Sequence, residues 1–206
     1  MNRFAIAAAA VFTAAPVSAA TYTLEPNYTQ AVFRWDHLGF SSPAAQVSQG
    51  AGTLQFDEAA PVKSAVTVAI PLSTLNTGVP DLDEHLRSED FFAVTKFPTA
   101  MFKSTKVEKT GAPNKLKVTG DLQLHGVTKS VTLDVTIVKV GTNPRTGLKT
   151  VGFDATATLQ RSEFGLGKYV PQVGDAVELR IVSQAVEEQG YAEYLKKEAV
   201  ERAQKK

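Results

Sequence analysis

The amino-acid sequence predicts an all-β domain of antiparallel strands, folded either as a sandwich or as an up-and-down barrel. Three observations predict it. Apolar and polar residues alternate with period two through most of the chain from Thr21 onward. Turn-forming clusters such as Gly111-Ala112-Pro113-Asn114 and Asn143-Pro144-Arg145-Thr146-Gly147 interrupt the alternation at regular intervals. The chain has no cysteine, so burial and the strand ladder must hold it without disulfides, and thiolate metal sites are excluded.

The N-terminus comes first. Met1-Asn2-Arg3 is a short positive region, Phe4 to Val17 is an Ala-rich apolar run, and Val17-Ser18-Ala19 or Ser18-Ala19-Ala20 offers small residues for a signal peptidase. Residues 1–20 are therefore expected to be a cleavable export signal, cut after Ala19 or Ala20. The run is shorter than the ~20 residues of a spanning helix, and no other segment is long and apolar enough to span a membrane as a helix. What remains is about the size of one domain with a substantial core. Losing Arg3 from the 22 basic residues leaves 21 against 21 acidic ones, so no charge excess asks for nucleic acid or an anionic membrane as partner.

The strands follow in order. Ala31, Phe33, Trp35 and His37 share one face, with Val32, Arg34 and Asp36 on the other. Leu54 and Phe56 come next, then Val66, Val68 and Ile70, then Leu122 and Leu124. Val131, Leu133, Val135 and Ile137 form a further inward row, followed by Phe153, Ala155, Ala157 and Leu159, and by Val177, Leu179 and Ile181 against Glu178 and Arg180. A transmembrane barrel fits less well, because charges populate the face opposite the apolar one and the chain ends in a charged helix-favouring segment. Two segments break the β pattern. Pro80 to Phe92 reads as a short helix across one end of the domain, with Asp81 as its cap and Glu84 three residues on. Residues 187–206 read as a charged helical tail, with Tyr191, Leu195 and Ala199 at spacing four; it either leans on the domain or supplies a dimer contact.

Residues that could carry chemistry are few. The three histidines, His37, His85 and His125, stand in no metal-binding spacing, and there is no nucleophile elbow, P-loop or dinucleotide fingerprint. Each imidazole is either a structural hydrogen-bonding group or part of a binding site. No cofactor is implied, and a non-enzymatic role is expected.

The specific signals are separated aromatic motifs. They are Phe33-Arg34-Trp35-Asp36-His37-Leu38-Gly39-Phe40, His85-Leu86-Arg87-Ser88-Glu89-Asp90-Phe91-Phe92, Lys96-Phe97-Pro98 with Phe102-Lys103-Ser104, Gly120 to Lys129, and Arg161-Ser162-Glu163-Phe164-Gly165. In this order and spacing the chain resembles the YceI-like family of exported lipocalin-like proteins, over roughly Tyr22 to Val186, so residues 21–186 are expected to be the family's domain. The resemblance implies an eight-stranded antiparallel lipocalin-like barrel enclosing a hydrophobic pore, a periplasmic location, and a polyisoprenoid or related long-chain amphiphile as ligand. Two departures stand out. Glu25 and Tyr28 occupy the places where the family often has an Asp-x-x-His pair, and Glu163 replaces the usual Asp.

Read from the residues alone, aromatics facing small residues such as Ala31, Ala100, Ala155 and Ala157 either pack a dry core or leave a channel. The positions assigned to ligand binding are Phe33, Trp35, His37, Phe56, His85, Arg87, Phe91, Phe92, Phe102, Phe153, Arg161 and Phe164. Of these, His37, His85, Arg87 and Arg161 are expected near one end, where they either meet a polar head group or, for the arginines, pair with Glu84, Glu89, Asp90 or Glu163. Three functions compete: a carrier for a long-chain lipid, an accessory protein acting on a bound isoprenoid quinone, and a stress-related interaction protein with a packed barrel.

Overall fold

A computed structural model describes residues 19–204. The expected export signal therefore lies almost wholly outside the described residues. The strands are β1 (Ala20–Leu24), β2 (Gln30–His37), β3 (Ala44–Val47), β4 (Ala51–Phe56), β5 (Ala65–Pro71), β6 (Thr99–Lys109), β7 (Lys115–Leu124), β8 (Val127–Thr142), β9 (Lys149–Gln160) and β10 (Val173–Glu187). Helix α1 (Pro80–Arg87) lies between β5 and β6, and α2 (Glu188–Gln204) follows β10 directly.

These ten segments close into an antiparallel barrel of eight strand positions. β10 pairs with β9 on one side; on its other side β2 occupies the upper part, with Trp35 opposite Val177, and β1 the lower part, with Tyr22 opposite Glu187. β1 and β2 are thus two halves of one position, as are β3 and β4, which pair with β2 and β1 respectively. The breaks have local causes. Pro26 has no N–H to give to the ladder and starts a 3-10 turn through Tyr28. Across from it, Gly50 lets the wall close, because a Cβ there would sit 2.5 Å from Thr29 Cγ2.

Alternation puts one side chain in two inside. At the end where β10 meets α2, Tyr22, Leu24, Leu54, Phe56, Val151 and Ala185 pack together. Phe102, Leu116, Val118, Leu133 and Ala155 form a second cluster. At the opposite end Leu86 of α1 joins Ala31, Val47, Leu72 and Leu75, with Phe33, Trp35, Phe91 and Phe92 beside them. Burial of such apolar surface, roughly 25 cal/mol per Å², supplies the stability that disulfides would otherwise supplement.

Helix α1 covers that end of the barrel but differs from expectation at both termini. Asp81 is not its cap: Pro80, with its φ already helical and no N–H to satisfy, takes the first helical position, so Asp81 falls inside the first turn. Asp83 secures the start instead, accepting from the Thr77 amide and hydroxyl at 2.6 Å each. The helix stops at Arg87 rather than Phe92; the Ser88 amide donates to Glu84 O, and Phe91 and Phe92 follow in a turn. In α2, Tyr191 is buried against the barrel while Leu195 stays half exposed, so the spacing-four stripe is anchored at one point only.

Candidate functional site: the barrel cavity

The barrel encloses a cavity of about 400 Å³ whose lining is almost entirely apolar. It runs from His37, Leu159, Tyr169 and Val173 at the α1 end to Phe56, Ser64, Val107 and Leu116 toward the other. Register explains the space. Leu179 of β10 faces Ala157 of β9, and Ile181 faces Ala155, so small side chains stand beside large ones around the wall. Aromatic side chains concentrate at the α1 end. The Phe33 ring lies 5.9 Å from Trp35 and 5.8 Å from Phe92, and Phe91 sits 5.0 Å from His85 and 6.2 Å from Tyr169.

Eleven of the twelve residues assigned from sequence line this cavity: Phe33, Trp35, His37, Phe56, His85, Phe91, Phe92, Phe102, Phe153, Arg161 and Phe164. Arg87 does not. Its guanidinium donates to Leu75 O and stands 4.0 Å from Asp83, tying α1 to the turn after β5. Neither arginine pairs with Glu84, Glu89, Asp90 or Glu163. Arg161 is buried and donates to four backbone carbonyls: Gly174 and Val173 at 2.8 Å, Lys168 at 2.9 Å, and Leu166. Four of its five N–H groups are thus engaged with the backbone. Asp175 stands nearby, held by the Ser162 amide at 2.8 Å and hydroxyl at 2.6 Å, which keeps its carboxyl below the usual range. The Arg161–Gly165 motif is therefore a clasp for the loop from 165 to 174, with Gly165 at φ +74° completing the turn.

His125 lies outside the cavity wall. Its Nδ1–H donates to Phe164 O at 3.1 Å, since a carbonyl can only accept, and its ring packs 4.9 Å from Phe97. His37 and His85 are the imidazoles that face the cavity.

Sequence reasoning passed over several lining groups. Tyr169, half exposed at the mouth with φ +66°, lies in a loop that alternation does not reach. Thr29 and Ser183 were within reach, because they continue the inward rows of Ala31 and Ile181. Their hydroxyls bond each other at 2.9 Å, which removes most of the cost of two polar groups in an apolar wall. Among the described residues no cluster of three His, Asp or Glu could hold a metal, and no helix is long and apolar enough to cross a membrane.

Glu25 and Tyr28, the departures at the start of the barrel, separate. Tyr28 is half exposed on the 3-10 turn. Glu25 is buried beneath α2, where Tyr191 Oη donates to its Oε1 at 3.5 Å and Oε2 has no partner. Burial pushes its carboxyl above the ordinary range, against the opposing attraction of Arg145.

A closed antiparallel barrel with an apolar interior, capped at one end by a short helix, defines a lipocalin-like protein. Residues 22–185 match the YceI-like domain, and the chain belongs to that family. Protein YceI of Shigella flexneri is 36% identical over 183 residues, covering 88% of this chain and 94% of its own. The crystal structure of the Campylobacter jejuni YCEI protein superposes with a TM-score of 0.66 at 29% identity, over 74% of this chain and 90% of that one. A polyisoprenoid binding domain from Saccharophagus degradans shares the fold, with a TM-score of 0.60 at 13% identity over 81% and 98% of the two chains.

Proposed function

We propose that the protein is a periplasmic carrier that holds a long-chain isoprenoid, or a related apolar amphiphile, inside its barrel. One observation carries this reading: the apolar cavity of about 400 Å³ along the barrel interior. A side-chain-filled barrel serving only as an interaction scaffold has no use for that space. Burying a CH₂ group gives roughly 0.8 kcal/mol, so ten equivalents give about 8 kcal/mol before ordering costs. Micromolar affinity needs about 8.2 kcal/mol. A short tail therefore binds weakly and a long one usefully. The polyisoprenoid binding domain that shares this fold supports the same ligand class.

Binding rather than catalysis suits the site, since its lining offers contact area and few groups that move protons. With Arg87 and Arg161 committed to backbone carbonyls, His37 and His85 are left as the groups to meet a polar head at the mouth. Export by the N-terminal segment places the carrier in the periplasm in this reading. A cut after Ala19 keeps Ala20, the first residue of β1, opposite Phe56, and a cut after Ala20 removes that pair. Native mass spectrometry and lipid extraction of the protein purified from a periplasmic fraction test the proposal. A co-purifying long apolar chain on a polypeptide beginning at Ala20 or Thr21 is expected. Protein that stays in the cytoplasm, or that neither retains nor takes up such a chain, overturns it.

A further inference from the structure

The hairpin between β2 and β3 ends in the most exposed large apolar side chain among the described residues. Phe40 is 91% exposed, and Leu38 beside it is 50% exposed. Both stand immediately beyond His37, the last cavity-lining residue of β2. Three hydrogen bonds tie the tip: the Phe40 amide donates to His37 O at 3.1 Å, the His37 amide to Ser41 O at 2.8 Å, and the Gly39 amide to Asp36 Oδ1 at 3.0 Å. It is also strained. Leu38 has φ +58° and Gly39 φ +72°, a pair of left-handed residues in which Asn or Gly is favoured at both central places. A bulky apolar residue in that conformation, aimed at solvent, works against folding, and strain of this kind concentrates where function demands it.

We propose that the Leu38–Phe40 tip inserts into the interface of a lipid bilayer and seats the cavity mouth there, so that cargo passes between membrane and barrel without crossing water. The inference rests on the carrier reading of the cavity. Area favours a bilayer over a protein partner. Phe40 and the half-exposed Tyr169, whose loop meets the end of β2 where Val173 pairs with His37, offer about 150–250 Å² each at most, whereas a stable protein interface needs roughly 800 Å² per partner. A wedge of one or two aromatic side chains suits the boundary between head groups and acyl chains. Charges near the mouth have both signs: Arg34 and Asp36 flank the tip on β2, and Lys168 pairs with Asp90 at 2.5 Å. Insertion is therefore expected to depend little on salt or on anionic lipid.

The test uses the mature full chain, vesicles of zwitterionic phosphatidylcholine, and Trp35, the sole tryptophan, whose indole lines the cavity and reports occupancy by its emission. Phe40→Asp should lower the fraction floating with vesicles roughly tenfold or more. It should also slow the Trp35 response to vesicles carrying the polyprenol solanesol, while leaving the response to farnesol in solution unchanged. Leu38→Asn suits the left-handed backbone, so it should raise the unfolding midpoint and still weaken flotation. Wild-type protein that does not float, or Phe40→Asp that floats and loads like wild type, overturns membrane docking. A wild type that floats through Phe40 but gives no Trp35 response to either polyprenol supports the docking surface and sinks the carrier reading instead.

Discussion

At the scale of single residues, Arg161 shows how a charged side chain near a binding cavity is spent on architecture. Two of its four carbonyl partners, Leu166 and Lys168, sit on the loop before β10, and the other two, Val173 and Gly174, open that strand at the rim of the mouth. An ammonium group cannot reproduce that fork, so Arg161→Lys leaves buried acceptors unpaired and should cost roughly 3 kcal/mol, read as a lower midpoint in urea. Unchanged stability would mean the clasp is not formed. Glu25 makes the complementary case. Its carboxyl is raised by burial, so the folded state holds the proton more tightly than the unfolded one. Its favourable contribution is then present below the ordinary value of 4.5 and is lost as pH rises through the folded-state value. Glu25→Gln keeps an acceptor for Tyr191 and should flatten the decline in stability above pH 4.5, making the variant the more stable of the two at neutral pH; a pH series of unfolding midpoints checks it. Neither role was legible from residue type. Arg161 and Arg87 read equally well as head-group ligands, because a sequence does not say whether a carbonyl or a ligand lies within reach.

At the scale of elements, the inward rows were legible almost in full, because period two is a property of the pleat and survives whatever fold the strand joins. Ala31, Phe33, Trp35 and His37 all face the cavity as the alternation requires. Interruptions were less visible. The split of one strand position into β1 and β2 around Pro26 depends on how sharply the wall must turn. The start of α1 depended on Pro80 taking the first helical position ahead of Asp81. Strand β9 carries the element-scale prediction. Its inward Ala155 belongs to the cluster with Phe102 and Leu133 and also lines the cavity wall opposite Ile181, so part of the volume that Ala155→Leu adds enters unfilled space. Overpacking of a filled core costs typically about 1–3 kcal/mol. Here stability should change by less than about 1 kcal/mol, while affinity for a long polyprenol falls about tenfold or more as chain contacts are displaced. Urea unfolding and titration of Trp35 emission read the two effects. A large loss of stability with affinity intact would show a core that is dry and full.

At the scale of the whole molecule, the choice between a packed barrel and a hollow one was not in the residues taken one at a time. Leu179 beside Ala157 fills space in a narrow barrel and leaves it in a wider one, and width follows from strand number and stagger together. Eight positions make a barrel near the boundary between these outcomes, and this one stays open by about 400 Å³. Such an interior recognises length before identity. Contacts along an apolar wall are non-directional, so each added CH₂ contributes up to about 0.8 kcal/mol until the chain outruns the cavity. Affinity should therefore climb from farnesol to geranylgeraniol by tenfold or more, then level off for longer polyprenols, with alcohol and quinone heads on one chain differing far less than short and long chains do. Thermal unfolding offers an independent readout, because ligand at a hundred times its Kd stabilises by about 2.7 kcal/mol. Affinity that ignores chain length, or that follows the head group across chains of every length, would place the binding energy at the mouth and not along the barrel.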